Sequence, residues 1–499
     1  MKKRPNILLI TTDQHRWDHL SHQGTPGIST PHLDRLAREG VHFNRAYTPS
    51  PLCVPCRVSL LTGQYPSSHH AYSIGMSVDP FPTCTLPGVL GAEGYRTKII
   101  GKTHFVSRVD EAKHMAGGQN PAPDFFRHWH GPYAGFEEIS ASTGHNIHND
   151  PDMHYKVFLE DAGVDYKPWF HAGRPDYDHH WAGVWDIPEE YHDTHWVGME
   201  TENYIQQRSG HDEPWFCWAS FQDPHEPFVC PEPWFSAVDT DALQLYEDHR
   251  EGEFNDRPGI YKRMLTRDFK PYNEGMGVPC SFGVPAISKR GKTALQATAG
   301  MVSFIDDRIG RILEKLKATG QLENTIIIYT SDHGELHGHH GLWGKGLAAY
   351  EDCQRVPLII SAPGHIPAKG TTQALVNLVD LPRTFLGFAG VKVPQGMQGV
   401  DLAPLLRGET DSVQDAVLVE SRPTQHTLYQ HTLVTADHKL VVYRDWDEGE
   451  LYNLKNDPDQ YTNLWNDPAS RDLREKLMLR LVQQHLQREG EVHPRINFG

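Results

Sequence analysis

Several short, unbroken apolar runs in this chain end on charged or polar residues, and that pattern constrains the fold more than any other feature. Ile7–Ile10 runs through two threonines into Asp13-Gln14, and "NTIIIYTSDHGE" runs into Asp332-His333. Thr97–Ile100 leads to Lys102 and His104, Trp215–Ser220 enters a polar turn, and "VPLIISAPG" has the same texture. Runs of this length without polar alternation are expected of parallel strands buried on both faces. Helical segments lie between them. "STPHLDRLAREG" offers Ser29 or Thr30 as N-cap, Pro31 in the first turn and Gly40 as a stop. Val58–Leu61 and Leu86–Ala92 read as further helix. Residues 297–317 carry Val302, Ile305, Ile309, Ile312, Leu313 and Leu316 at helical spacing, with Arg308, Arg311 and Lys315 expected to face out. The expected fold is α/β: a large, mainly parallel (mixed) central sheet flanked by helices.

The 499 residues suffice for a large core and a satellite. After "DLAPLLRG" the texture changes: "HTLVTADHKLVVYRDW" and "GELYNL" alternate as antiparallel strands do, and Asp472–Arg488 is an amphipathic helix. The expected division is a catalytic domain over 1–408 and a smaller α+β C-terminal domain over 409–499. Residues 113–200 are crowded with His, Trp, Tyr, Asp and Pro with little periodicity, and read as long loops over the core.

A formal charge of −17 argues against nucleic acid as a partner, since binding its backbone needs a basic face. No apolar run approaches the roughly 18 residues needed to span a bilayer, and the basic start lacks the apolar core of a signal peptide. The expectation is a soluble, cytoplasmic protein without membrane contact. Oligomeric state leaves no mark in the sequence.

Ligands of open α/β sheets bind beyond the carboxyl ends of the strands. Asp13-Gln14, Lys102-Thr103-His104 and Asp332-His333 all fall at that edge, and two carboxylates with an imidazole from separate strands suit a divalent cation. The stretch "SPLCVPCRVSLLTG" adds two of seven cysteines, Cys53 and Cys56, spaced as a metal knuckle or a redox pair would be. The remaining cysteines are scattered and odd in number, which is no disulfide framework. A lone CxxC without a second pair is a weak zinc site.

Cys53-x-Pro55-x-Arg57 followed by Leu61-Thr62-Gly63 resembles the signature of the type I, formylglycine-dependent sulfatases of the alkaline phosphatase superfamily. "PNILLITTDQ", "TPHLDRLAREGVHFNRAY", "GKTHF", "DPHEPF", "NTIIIYTSDHGE", "GLWGKGLAAYEDCQRVPLII" and "LYNLKNDPDQYTNL" look like sulfatase segments in sulfatase order. The resemblance covers nearly the whole chain, least securely residues 113–200, and implies an alkaline-phosphatase-like fold. It implies a sulfuric ester hydrolase acting on an aryl or carbohydrate sulfate. In that family the first cysteine is converted by a formylglycine-generating maturation enzyme to an aldehyde. One hydroxyl of its hydrate attacks sulfur, and the other, once deprotonated, expels sulfate. Cys56 then merely fills a position that is often Ser.

By the same resemblance Asp13, Gln14, Asp332 and His333 ligate a divalent metal alongside the modified Cys53. Gln14 stands where many relatives have a second Asp, and His333 where many have Asn. Ca2+ is the first expectation, with Mg2+ or Mn2+ as alternatives. Arg57 would stabilise the nucleophile. Lys102 and His104 would sit at the sulfate end, His104 taking a proton as sulfate leaves. His225 would be the general acid for the leaving alcohol, and Lys345 would bind the sulfate or the bridging oxygen. His69 matches a frequent family histidine and equally suits helix-end packing. The Asn often found a few residues further on is not evident in Ala71–Met76.

The histidines at 145, 148, 154, 179, 180, 192 and 195 lack a tight metal spacing and read as pocket walls or packing. Trp129, Trp169, Trp181, Trp185 and Trp196 suit either core packing or stacking on a sugar or aryl ring. Phosphonate monoester hydrolases and phosphodiesterases share the fold, the signature, the Asp-Gln start and the Asp-His pair. They tend to lack Lys and His at the positions of 102 and 104, so their presence favours sulfate. A third possibility is an inactive sulfated-glycan-binding homologue whose cysteine stays a thiol.

Overall fold

The computed structural model describes residues 3–76, 84–144, 150–170, 182–246, 248–266, 281–423 and 428–489. The expected strands lie side by side in a nine-stranded sheet. From its centre outward on one side, Thr325–Ser331, Asn6–Thr12, Trp215–Ser220, Arg96–Lys102 and Glu138–Ser142 are neighbours and all parallel. On the other side Leu358–Ser361 runs antiparallel between Thr325–Ser331 and Val41–Tyr47, and Gly370–Asn377 pairs parallel with the latter. The sheet is mixed with a parallel heart, as expected.

Both faces are covered. Ile7, Leu9, Phe216, Trp218, Ile326 and Ile328 join one apolar cluster, while Leu8, Ile10, Cys217, Ala219, Ile327 and Tyr329 join the other. Alternate residues of each strand thus enter opposite cores, which is why the strands carry no polar alternation. The helix Lys289–Ala318 buries Ile305, Ile309, Ile312, Leu313 and Leu316 in the second core. It begins earlier than its apolar stripe, at Ser288, whose side chain accepts from Gly291 N.

Arg308 corrects an expectation. Instead of facing solvent it is 4% exposed, with Nη1 2.9 Å from His195 Nδ1 and Nη2 3.3 Å from Glu189. Besides the adjacent Asp307, these partners come from a distant segment, which helix periodicity does not reveal.

Residues 113–200 also depart from the expected loops. They contain the edge strand Glu138–Ser142, the helix Met153–Asp161 and the start of the helix Asp193–Gln207. The last buries Trp196, Val197, Thr201, Tyr204 and Ile205, a helical stripe that interspersed polar residues disguise. Trp185 and Trp196 pack in the second core, Trp169 stacks on Tyr191, and Trp129 packs on Phe125. His154 is held between Ala141 N and Trp129 O, and His192 caps the last helix. His145, His148, His179, His180 and Trp181 lie outside the described residues.

Ala416–Ser421, Gln430–Thr435, His438–Tyr443 and Gly449–Asn453 form an antiparallel four-stranded meander. Helix Arg471–Arg488 packs on it through Leu477 and Leu481. Its other contacts matter to the site: Ser421 Oγ donates to Gly346 O (2.7 Å) and Lys439 Nζ to Ala349 O (2.9 Å). The second sheet therefore braces the loop that carries Lys345.

Buried imidazoles make stability pH-dependent. Burial pushes His42 and His69 from 6.5 down to about 3, and His154, His340 and His431 down to about 4. Burial raises carboxyls in the opposite sense, Glu111 and Glu226 to about 7, Asp306 and Asp380 to about 6, and Glu335 and Glu420 upward as well. With His15 at about 4, His19 at about 3 and His195, His337 and His485 also held down, the depressed imidazoles outnumber the raised acids, so between about pH 6.5 and 4 the unfolded chain binds the extra protons. Stability is expected to fall as pH drops through that window, read as a lower urea midpoint at about pH 5 than at about pH 7. An unchanged or higher midpoint would contradict it.

Candidate active site

The parallel strands Thr325–Ser331, Asn6–Thr12, Trp215–Ser220 and Arg96–Lys102 are consecutive in the sheet, so their carboxyl ends deliver Asp332-His333, Asp13-Gln14, the His225 turn and Lys102-His104 to one place. Backbone bonds lock this edge: Asp13 N donates to Asp223 O (3.2 Å) and Asp332 N to Thr12 O (3.2 Å). Gly101, at φ +90°, lets the Arg96–Lys102 strand press against its neighbour. A Cβ there would lie 2.0 Å from Ser220 O.

Cys53 is the first residue of helix Cys53–Thr62, every residue of which is buried. Its Sγ lies 3.2 Å from His333 Nε2 and 3.6 Å from Asp13 Oδ1. Arg57, one turn on, is 0% exposed and not a helix-surface residue. Its Nε donates to Asp332 Oδ2 (3.0 Å), and its Nη1 to Ser220 Oγ (2.7 Å) and Lys102 O (3.1 Å).

Lys102 Nζ pairs with Asp13 Oδ2, both fully buried. His104, 3% exposed, sits in the left-handed region at φ 48°. Lys345 Nζ bonds Gln14 Oε1 and lies 2.6 Å from His225 Nε2. His225 Nδ1 is 2.5 Å from Glu226 O, so Nδ1 carries the proton and Nε2 accepts from Lys345. Asp13 and Asp332 thus face three cations, Arg57, Lys102 and Lys345, which line the pocket and suit it to an anion, while the buried Glu226 and Glu335 carboxyls lie behind Lys345.

The same neighbours set the titration behaviour. Burial works to raise Asp13, but Lys102, His225, Lys345 and Arg57 together hold it well below the usual carboxylate range. Burial, and then Lys345, keeps His225 well below the imidazole range; burial with Lys102 and Arg57 does the same to His104. Burial and the Asp13 charge push the Cys53 thiol up to about 11. As a thiol Cys53 is therefore a poor nucleophile at neutral pH.

Asp13, Cys53, Asp332 and His333 are buried and offer ligand atoms that all lie within 4.8 Å of one another. His333 Nδ1 is 3.0 Å from Gly334 O, so that nitrogen carries the proton and Nε2 presents its lone pair to the group. Two carboxylates and an unprotonated imidazole fit a divalent cation.

The sequence model of the family described as "Sulfatase" matches residues 5–391. The chain belongs to the sulfatase family. A second model, "N-sulphoglucosamine sulphohydrolase, C-terminal", matches residues 338–487. Among curated relatives, the arylsulfatase of Clostridium perfringens is 31% identical over 93% of this chain and 90% of its own. The N-acetylglucosamine-6-O-sulfatase of Bacteroides thetaiotaomicron is 29% identical over 97% of this chain and 86% of its own. A solved protein bound to its substrate D-glucosamine-2-N,6-O-disulfate superposes with a TM-score of 0.73, at 25% identity and 98% coverage of both chains. The phosphonate monoester hydrolase of Agrobacterium radiobacter superposes at 0.77 with 24% identity, over 98% of this chain and 97% of its own, which shows the shared fold.

Of the residues expected here, Gln14 turns its amide to Lys345 and Glu335 rather than to the Asp13–His333 group, and His69 lies to one side. His69 accepts from Ala71 N and lies 3.0 Å from Ser59 Oγ, so it packs the end of the Cys53–Thr62 helix. Two groups escaped attention in the sequence. Ser220 ends a strand and holds Arg57. Glu335, quoted within "NTIIIYTSDHGE", is 0% exposed and accepts from the Gln14 amide. A carboxylate two residues past Asp332-His333 was its only signal. Among the described residues no helix is long and apolar enough to cross a membrane.

Proposed function

We propose that this sulfatase cleaves aryl or carbohydrate sulfate esters at Cys53 after its conversion to formylglycine, with Asp13, Asp332 and His333 holding Ca2+ and Gln14, whose amide oxygen is taken by Lys345, beside them rather than on the ion. The observation carrying this reading is the place of Cys53: first in a helix, against the Asp13–His333 pair, with Arg57 one turn behind. The aldehyde hydrate would supply a nucleophilic hydroxyl and a second hydroxyl whose deprotonation releases sulfate. The cation would supply Lewis-acid stabilisation of charge on oxygen.

The chain's own residues do the rest. Arg57 holds Asp332 and the Ser220 hydroxyl, fixing the floor of the site. Lys102 offers positive charge at the sulfate end, and His104, kept neutral by burial, takes a proton there. Lys345 and His225 form the leaving-group end: His225 Nε2, unprotonated here, takes a proton from the Lys345 ammonium and hands it to the departing alkoxide or phenoxide, leaving Lys345 as the neutral amine. Residues 1–408 form the proposed catalytic unit and 409–499 the accessory one, which braces the Lys345 loop.

Cys53, Pro55 and Arg57 are all buried. A maturation enzyme that reads these residues must therefore act before the chain folds.

The test is a panel of aryl sulfates, carbohydrate sulfates and aryl phosphodiesters under steady state. Sulfate turnover is expected to dominate, and a wide phosphodiester preference would transfer the assignment to the phosphonate hydrolase branch. Chelation should abolish turnover, and add-back of Ca2+, Mg2+ or Mn2+ identifies the ion. His225→Ala is expected to lower kcat by about 10²–10⁴-fold on esters with poor leaving groups. Equal losses on activated aryl esters would contradict the general-acid role.

A further inference from the structure

Glu335 lies outside the reacting groups, yet both of its carboxylate oxygens are committed to them at one remove. Oε2 accepts from Gln14 Nε2. Oε1 accepts from the backbone N–H of Gly344, the residue before Lys345, and from His337 N (3.2 Å). Gln14 Oε1 in turn accepts from Lys345, whose Nζ is 2.6 Å from His225 Nε2. A glutamine amide has two nearly equivalent orientations, one presenting oxygen and the other NH2. Facing the Lys345 ammonium, only the oxygen is tolerable. An aspartate at position 14 would present oxygen either way, so the amide creates a need for acceptors behind it; Glu226 is one, and Glu335 is the one that also holds the backbone before Lys345.

We propose that Glu335 is the positioning residue of the leaving-group end: it selects the orientation of the Gln14 amide and pins the backbone before Lys345, and so sets Lys345 against His225. The inference rests on the roles given above to Lys345 and His225.

Glu335→Gln tests it with almost no change of volume. One amide oxygen cannot serve both Gln14 Nε2 and the Gly344 and His337 N–H groups. Either the Lys345 loop loses its anchor or an NH2 group confronts the Gln14 amide and turns its NH2 toward Lys345. The readout is the ratio of kcat on an alkyl or carbohydrate sulfate to kcat on nitrophenyl sulfate, measured within one preparation so that incomplete maturation cancels. Glu335→Gln is expected to lower that ratio about 10–100-fold, the scale seen when a residue supporting an active-site ligand is replaced. Lys345→Ala, run alongside, is expected to lower it too. Glu335→Asp, which keeps both acceptor oxygens, should recover part of the ratio, whereas a purely structural role would depress both substrates together. An unchanged ratio in Glu335→Gln beside a lowered one in Lys345→Ala overturns the assignment of Glu335 alone. An unchanged ratio in Lys345→Ala removes the underlying reading and this inference with it.

Discussion

Cys53→Ala is expected to lower turnover of any sulfate ester by on the order of 10⁶-fold, the scale observed when a covalent nucleophile is deleted. The fold should survive, because the side chain fills a buried position whose loss removes one sulfur from a helix start otherwise anchored by Arg57. Near-UV circular dichroism checks the fold, and peptide mass spectrometry of the wild type checks for aldehyde at Cys53. The decisive contrast is with wild-type protein whose Cys53 remains a thiol. Burial and Asp13 push that thiol up to about 11, so the unconverted protein should be nearly as inactive as the alanine variant. Treating the folded thiol form with a maturation enzyme should leave it inactive, since Cys53, Pro55 and Arg57 are covered. Treating it unfolded, then refolding, should recover turnover. Full activity of Cys53→Ala would refute covalent catalysis at this position.

Asp13→Asn is expected to have the second largest effect, and on two measurements at once. The carboxylate is the partner of Lys102, lies 3.8 Å from Arg57, and belongs to the candidate metal group. Neutralising it takes a negative charge from a fully buried set and leaves the Lys102 ammonium without that compensation. Breaking one side of a buried pair costs about 3–5 kcal/mol, so the urea midpoint of the metal-free protein should fall accordingly. The increase in melting temperature on adding Ca2+ should shrink or vanish, since an amide is a poorer ligand than a carboxylate. Asp13→Asn combined with Lys102→Met separates the two effects: stability should largely return, while the metal response and activity should not. A stable Asp13→Asn with an undiminished metal shift would show that Asp13 neither balances Lys102 nor holds the ion.

Legibility in the sequence followed the range of the forces involved. Strands such as Asn6–Thr12 and Thr325–Ser331 announce themselves because burial on two faces demands uninterrupted apolar residues. Helix Asp193–Gln207 does not, because its inward face mixes Trp196, Thr201 and Tyr204 with polar neighbours and takes shape only against the core it covers. Arg308 was misplaced for a related reason: two of its partners, His195 and Glu189, lie more than a hundred residues earlier. His69 had two readings in the sequence, and only the fold shows its ring against the Ser59 hydroxyl at the helix end.

The residue types at the strand ends and in the Cys53–Arg57 motif were determined by the sequence alone, together with the layered α/β plan and the sulfatase resemblance. These depend on short-range patterns of hydrophobicity and spacing, which a chain carries in order. Only the tertiary structure decided that Lys102 meets Asp13, that Arg57 is sealed against Asp332 and Ser220, and that Glu335 reaches Lys345 through Gln14. Those pairings join residues up to some three hundred positions apart. Their worth comes from burial, which raises the cost of any unmatched charge and so makes the partner of each group a property of the folded core.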